Sequence, residues 1–364
     1  MKDAFDNRKY LKTQQDAFEK ALKRDAGKPT FVEFGGKPFT DRHAERVLPG
    51  YEADAKAEIL KEAVKLADVV MVVNALDILL QPDGRTLRGR IRGDTNLFYD
   101  DETVRLLKDA HGRNLPISKV VLSVTPRSMS SENKVRVERF RSELERMGVS
   151  LHTHYQISGY PNPLSLDSGA FKDNDVVRAD GGNLVAISPG GGSGKFGMLL
   201  SEMYAALAKD ETPGYLKFET FPIFQLDAQH ALNLAFEAAT ADLRNRVVDL
   251  EMREGEKRTS YDKDIENFAL LRRLFELFGK DEELSHMQDP VDMGINQIIA
   301  GVTDMEGIIR ACHIEVIKRI QRYEKEVSEG IERVATLEAA KEILGRFESV
   351  YHVRTNGREK APYG

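Results

Sequence analysis

A chain of 364 residues with 41% hydrophobic and 31% charged content is built for a large folded core and excludes an intrinsically disordered chain. Its formal net charge of −6 disfavours nucleic acid as a partner, because the overall field repels a polyanion. One cysteine excludes an intrachain disulfide framework and fits a reducing compartment, and no apolar run approaches the roughly 20 residues of a membrane span.

The amino terminus, MKDAFDNRKYLK, carries charges where a secretory leader needs its apolar centre, so a cytoplasmic protein without membrane association is expected. Residues 7–26 predict an amphipathic helix, with Tyr10, Gln14, Phe18 and Leu22 on one face and Gly27 as the stop. Short apolar runs then alternate with helical patterns. Strands are expected at 30–36, 68–75, 119–124, 149–155, 183–188 and 215–222, and helices near 53–67, 101–112, 132–147 and 195–208. This alternation predicts an α/β fold with a doubly wound, mostly parallel sheet, its ligands bound in the crevice beyond the strand carboxyl ends.

After residue 225 helical patterns dominate, at 229–243, 262–278, 305–326 and 331–348. The expected organisation is an α/β phosphate- or nucleotide-binding-like domain at 1–285, a helical module at 286–350 and a loose tail at 351–364. Cys312, in IIRACHIEVI, has Ile308, Ile309 and Val316 at helical spacing and is expected as a buried thiol.

The stretch ISPGGGSGKFGM, 187–198, joins the fifth expected strand to a helix. Glycines permit the positive φ angles that turn successive amides into one concavity, the helix adds its positive end, and a lysine reaches the phosphates. Gly190, Gly191, Gly192, Ser193, Gly194 and Lys195 supply these parts. Two departures from the Walker pattern stand beside them. Pro189 occupies the position of the first glycine, and Phe196 replaces the hydroxyl residue that holds magnesium. A strand-to-helix turn with a solvated lysine is the plainer alternative.

Other strand ends carry Glu33, Gly35 and Gly36, then Asn74 and Asp77. Asp77 suits a metal bound to phosphates or a helix cap, and the glycine pair a second nest or a sharp turn. The loop RTLRGRIRGDTNLFYDD offers Arg85, Arg88, Arg90 and Arg92 as a phosphate-closing lid or a solvated charge run. His43 is a general-base candidate by position alone. His152 and His154 share a strand face without a nearby carboxylate or cysteine, and ordinary strand histidines are expected. Asn233, Glu237, Thr240 and Arg244 make a polar helical stripe, either a solvent face or a substrate-facing row.

Taken together, FDNRKYLK, EFGGKPF, HAERVLPGY, VNALDI, RGDTNLFYD, ISGYPNP, PGGGSGK, GYLKFETFPI, LNLAFEAATADL and DPVDMGIN resemble the bacterial domain-of-unknown-function family 1846. The resemblance implies an α/β protein with a helical module and a further carboxyl-terminal domain, of which this chain is expected to be a short or truncated form. It also places Glu33, Gly35, Gly36, His43, Arg46, Asn74, Asp77, Arg92, Gly93, Asp94, Gly192, Ser193, Gly194, Lys195, Glu219, Thr220, Glu237 and Asp242 at motif positions. It implies no activity.

The leading expectation is an enzyme that binds a nucleotide, ATP with Mg2+ among the options, or another phosphorylated small molecule. Phosphate would rest on 190–195, with Arg92 closing over it and Asp77 or Glu219 orienting a metal or nucleophile for phosphoryl transfer or hydrolysis. The alternative is a non-catalytic regulatory protein that forms homo-oligomers through its helical module.

Overall fold

The computed structural model describes residues 3–23, 28–80, 89–92, 95–171, 173–179, 182–243, 246–251 and 257–352. Its strands, in chain order, are β1 (Thr30–Phe34), β2 (Ala67–Asn74), β3 (Lys119–Thr125), β4 (Ser150–Tyr155), β5 (Asn183–Ile187), β6 (Gly214–Phe218), β7 (Val247–Glu251), β8 (Lys257–Tyr261) and β9 (Gly294–Ile295). Seven of them form one sheet in the order β4-β3-β2-β5-β1-β6-β9, with every neighbouring pair parallel. Parallel strands are covered on both faces, which explains the continuous apolar runs. Alternate residues serve the two layers: Val32 and Phe34 join one core, whereas Phe31 joins the other.

The first layer holds α1 (Asn7–Lys23), α2 (Arg42–Val47), α3 (Ala55–Ala63), α5 (Tyr99–Gly112) and α6 (Ser131–Arg146), while the single turn α4 (Ala75–Ile78) follows β2 directly. The second layer holds α7 (Lys195–Ala208) and α9 (Asp262–Glu276), which pack Leu199, Leu200 and Met203 with Leu271 and Phe275. Side chains fix the helix starts: Asp41 accepts from the Ala44 amide at 3.1 Å, and Ser130 from the Asn133 amide at 3.2 Å. The first helix ends at Lys23, and Gly27, the expected stop, lies outside the described residues.

Three features differ from the sequence reading. Residues 42–47 form a helix within an expected loop. Residues 247–261, expected to lack strands, carry the antiparallel β7–β8 pair, in which Val247 and Tyr261 pack on Ala228. Two residues beyond 285, Gly294 and Ile295, extend the main sheet as β9, too short a run to show a period.

Helices α8 (Ala231–Ala239), α10 (Met305–Ser328) and α11 (Val334–Tyr351) complete the chain. The stripe Ile308, Cys312, Val316 and Ile320 of α10 enters the same core cluster as Val32 and Phe218 of the sheet. Cys312 is a buried free thiol, as its spacing predicts.

An ion cluster adds to this docking. Glu315 on α10 accepts from Arg46 of α2 at 2.6 Å and from Arg319 at 2.9 Å, with His43 Nδ1 at 3.5 Å. Burial alone would raise the Glu315 pKa. The contacts from His43 and Arg46, with the charge of Arg319, outweigh it and hold the carboxyl well below the ordinary carboxylate range. A depressed folded-state pKa adds stability that is complete above the unfolded value and is lost as pH falls through the folded one. The melting temperature should therefore hold from neutral pH to about 5 and then fall, and Glu315→Gln should flatten that acid limb. An unchanged limb in the variant would take the cluster out of the account.

Candidate functional site: a glycine loop at the sheet centre

β5 is the central strand, flanked by β2 and β1. From β2 the chain winds outward through β3 and β4, and from β5 it crosses β1 to reach β6, so the connections diverge on either side of β5. The carboxyl end of β5 is thus a topological switch point, where a doubly wound sheet leaves a crevice. The 190–195 loop stands there.

Gly194 is the cap of α7 in the left-handed conformation, φ 79°. The amides of Gly194, Lys195, Phe196 and Gly197 donate to no acceptor among the described residues. Lys195, the first helical residue, is buried and folds back beneath the loop. Its Nζ donates to Ser188 Oγ at 2.9 Å and lies 3.5 Å from Ser193 Oγ. Burial lowers the Lys195 pKa, and Glu33, 3.9 Å away, opposes that effect. The Ser193 carbonyl is held from below by the Ser123 hydroxyl of β3, which also lies 3.2 Å from the Val73 carbonyl. Next to Ser123, the β-branched Val124 has a φ of 52°, a conformation that costs of order 1–3 kcal/mol and persists only where surroundings impose it.

The β1 and β6 ends supply a buried set of charges. Glu33 accepts from the Tyr215 hydroxyl at 2.9 Å. Lys217 sits between Glu219 Oε1 at 2.8 Å and Asp264 Oδ1 at 2.5 Å. Burial would lower the Lys217 pKa, but the charges of Asp264, Glu219 and Glu33 carry it upward. Gly35 donates its amide to the Phe218 carbonyl at 2.8 Å, and Lys56 binds the Gly35 carbonyl at 3.0 Å and Asp41 at 2.8 Å. A side chain on Gly36 would meet the Lys56 ammonium, so a lysine already lies against the Gly35–Gly36 turn.

On the β2 side, Asn74 donates to the Gly192 carbonyl at 2.9 Å while its oxygen caps α4 at the Leu76 amide. Asn74 therefore braces the loop. Buried Arg92 packs its guanidinium beside Gly190, where an added Cβ would lie 3.0 Å from Nη1, and over the Tyr99 ring at 5.9 Å. Gly191 and Gly192 are exposed at the loop tip. Asp77 lies 3.5 Å from Arg90, and its carbonyl accepts the Arg90 amide at 2.8 Å. Burial raises the Asp77 pKa against the pull of Arg90. Arg85, Arg88, Gly93 and Asp94 lie outside the described residues.

The structure brings Glu33, Asn74, Arg92, Lys195 and Glu219 around the loop and its floor. His43 has a different setting: it lies buried between Phe221 and Phe236 with Glu315 beside it, and burial lowers its pKa. His154 is buried against Ser201 Oγ at 2.8 Å, its pKa drawn down by burial to about 4, while His152 is partly exposed and pairs with Ser150. Asn233 is a structural clamp, accepting from the Ile223 amide at 2.8 Å and donating to the Asp227 carbonyl at 3.0 Å. Glu237 accepts from Arg346 of α11 at 2.7 Å, and Arg244 lies outside the described residues.

The magnesium expectation finds no set of ligands here. Phe196 is buried edge-on to Tyr215, Asp77 faces an arginine, and no group of three or more His, Cys, Asp or Glu suited to a metal occurs among the described residues. Sequence reasoning missed Ser123, Ser188, Tyr215, Lys217 and Asp264. A signal existed for two of them: Ser123 and Lys217 interrupt apolar strands close to their carboxyl ends.

Fold and site together define an α/β protein with a glycine loop at the switch point of a parallel sheet. Residues 3–348 match the family described as domain of unknown function DUF1846, N-terminal, and the chain belongs to that family. It is 36% identical over 370 aligned positions to the UPF0371 protein M6_Spy1067 of Streptococcus pyogenes serotype M6, covering 98% of this chain and 70% of that relative. The UPF0371 protein SUB1165 of Streptococcus uberis is also 36% identical, over 324 positions that cover 87% of this chain and 62% of the relative. A UPF0371 protein of Streptococcus sanguinis is 35% identical over the same proportions.

Proposed function

We propose that the 190–195 loop binds the phosphate of a nucleotide or another phosphorylated small molecule, and that the protein is a cytoplasmic enzyme of phosphoryl transfer or hydrolysis. The observation that carries this reading is the arrangement of Lys195: its ammonium lies beneath the loop while the first amides of α7 have no acceptor among the described residues. Helix amides and a lysine form an anion cradle, and Arg92 beside Gly190 adds a second cation. With no metal-ligand set among the described residues, catalysis would rest on these fixed cations and dipoles.

The lack of a hydroxyl at Phe196 favours a second reading, a non-catalytic regulatory protein that binds the same ligands, because binding survives loss of a metal ligand better than phosphoryl transfer does. In that reading self-association would use surface on α10 and α11 outside their packed stripe. Exposed Ile331 and Val334 lie where the two helices join. Light scattering across protein concentration tests that part.

Thermal shift with ATP, GTP, sugar phosphates and sulfate is the direct test of binding. One of these should raise the melting temperature, and Lys195→Ala should weaken that ligand about 10–100-fold, the equivalent of one charge-assisted hydrogen bond of about 1.5–3 kcal/mol. If no ligand stabilises the protein and the variant is silent too, both readings fall. Binding without turnover under any metal favours the regulatory one.

A further inference from the structure

We infer that the loop takes up its anion together with a proton, and that Glu219, which shares Lys217 with Asp264, is the residue that carries it. This inference rests on the phosphate-site reading. Its basis is the charge geometry on the floor of the crevice. One ammonium, Lys217, serves two carboxylates, with Asp264 Oδ1 at 2.5 Å and Glu219 Oε1 at 2.8 Å.

The second oxygen of Glu219 is sealed from solvent and has no hydrogen-bond partner among the described residues. An ionised carboxylate with one unsolvated, unpaired oxygen is costly, whereas a proton on that oxygen removes the charge without disturbing the bond to Lys217. Glu33 and Asp264 add their negative charges from β1 and α9, and Tyr261 of β8 also faces the group. Lys195 of α7, with Lys56 of α3 beside it, is the cation that meets both the ligand and this cluster. Burial, with Asp264 and Glu33 behind it, carries the Glu219 carboxyl up to about 8 against the pull of Lys217.

A dianion placed on the loop adds negative charge to this cluster and raises the acid further, so binding and protonation favour one another. The proton comes from solvent and stays on Glu219 Oε2, and no covalent bond changes. Tyr215 and Tyr261, both raised by burial, remain neutral and do not compete.

Sulfate is the probe, because it stays a dianion throughout the range, and its affinity and proton uptake are read by calorimetry in buffers of differing ionisation enthalpy. In the wild-type protein affinity should be level below pH 7 and fall by up to about tenfold per pH unit above 8, with proton uptake appearing over the same interval. Glu219→Gln keeps the shape and the bond to Lys217 without a titrating proton. It should bind sulfate with a flat profile, and any uptake that survives in it belongs to another group of the cluster, Asp264 or Lys195. Sulfate binding with no uptake in the wild type, or with equal uptake in Glu219→Gln, overturns this inference and leaves the phosphate site standing. No sulfate binding at any pH overturns both. The wild-type profile alone decides the matter if the variant does not fold.

Discussion

Lys217→Met is expected to lower folding stability by about 3–5 kcal/mol at neutral pH, the usual loss when one member of a buried ion pair is removed. Methionine replaces the aliphatic stem, so the loss comes from the charge and not from a cavity. Lys217 is buried, and two carboxylates share its ammonium. Without it buried Asp264 is left with the Asn267 side chain, and the Glu219 carboxylate loses its ammonium partner. Both acids can escape by taking up a proton, which limits the damage at low pH. Their pKa values are already raised by burial with Lys217 present, and its removal raises them further. The variant should therefore lose less at pH 5.5 than at pH 8, and Lys217→Met with Asp264→Asn should recover part of the difference. Denaturant unfolding at the two pH values measures this. A loss below 1 kcal/mol at pH 8 would mean that the cluster is neutral without its lysine.

The parts of the fold legible in the sequence are those whose information is local. β2, β3 and β5 are apolar runs long enough to require cover on both sides, and the helices between them carry a full amphipathic stripe. β9 was illegible because two residues have no period. β7 and β8 were illegible because each is only five residues long and KRTSY of β8 has one apolar residue, Tyr261, at its end. The same division applies to the candidate site. The glycine loop and Lys195 can be read locally, since amides, cap and lysine lie within one turn. The residues that support them come from far along the chain: Ser123 is 70 residues from Ser193, and Asp264 is 47 from Lys217. Strand order brings such pairs together, and strand order is not written in periodicity. His43 shows the converse. Its place after a strand suggested the crevice, but α2 turns it toward α8 and α10, whose partners lie more than 190 residues away.

Gly194→Ala is expected to cost about 2–4 kcal/mol, more than the equivalent change two residues earlier. Both positions have a positive φ, 79° at Gly194 and 73° at Gly192, so each replacement carries a backbone cost of about 1–2 kcal/mol. They differ in what the new methyl group meets. At Gly192 it enters open space, whereas at Gly194 it lies 2.6 Å from Ser123 Oγ and 3.1 Å from Val124 Cγ2. Ser123 cannot yield freely, because its hydroxyl is engaged with the Ser193 and Val73 carbonyls. Val124 cannot yield without a change in its own strained backbone. The clash should therefore displace the loop and cap together, lowering the melting temperature and sulfate affinity at once. Ser123→Ala in the Gly194→Ala background removes the nearest contact but leaves Ser123 Cβ, 3.0 Å from the new methyl, and should restore only part of the stability. Equal losses for Gly192→Ala and Gly194→Ala would show that φ alone sets the cost, and that the floor of the loop is softer than the contact with β3 implies.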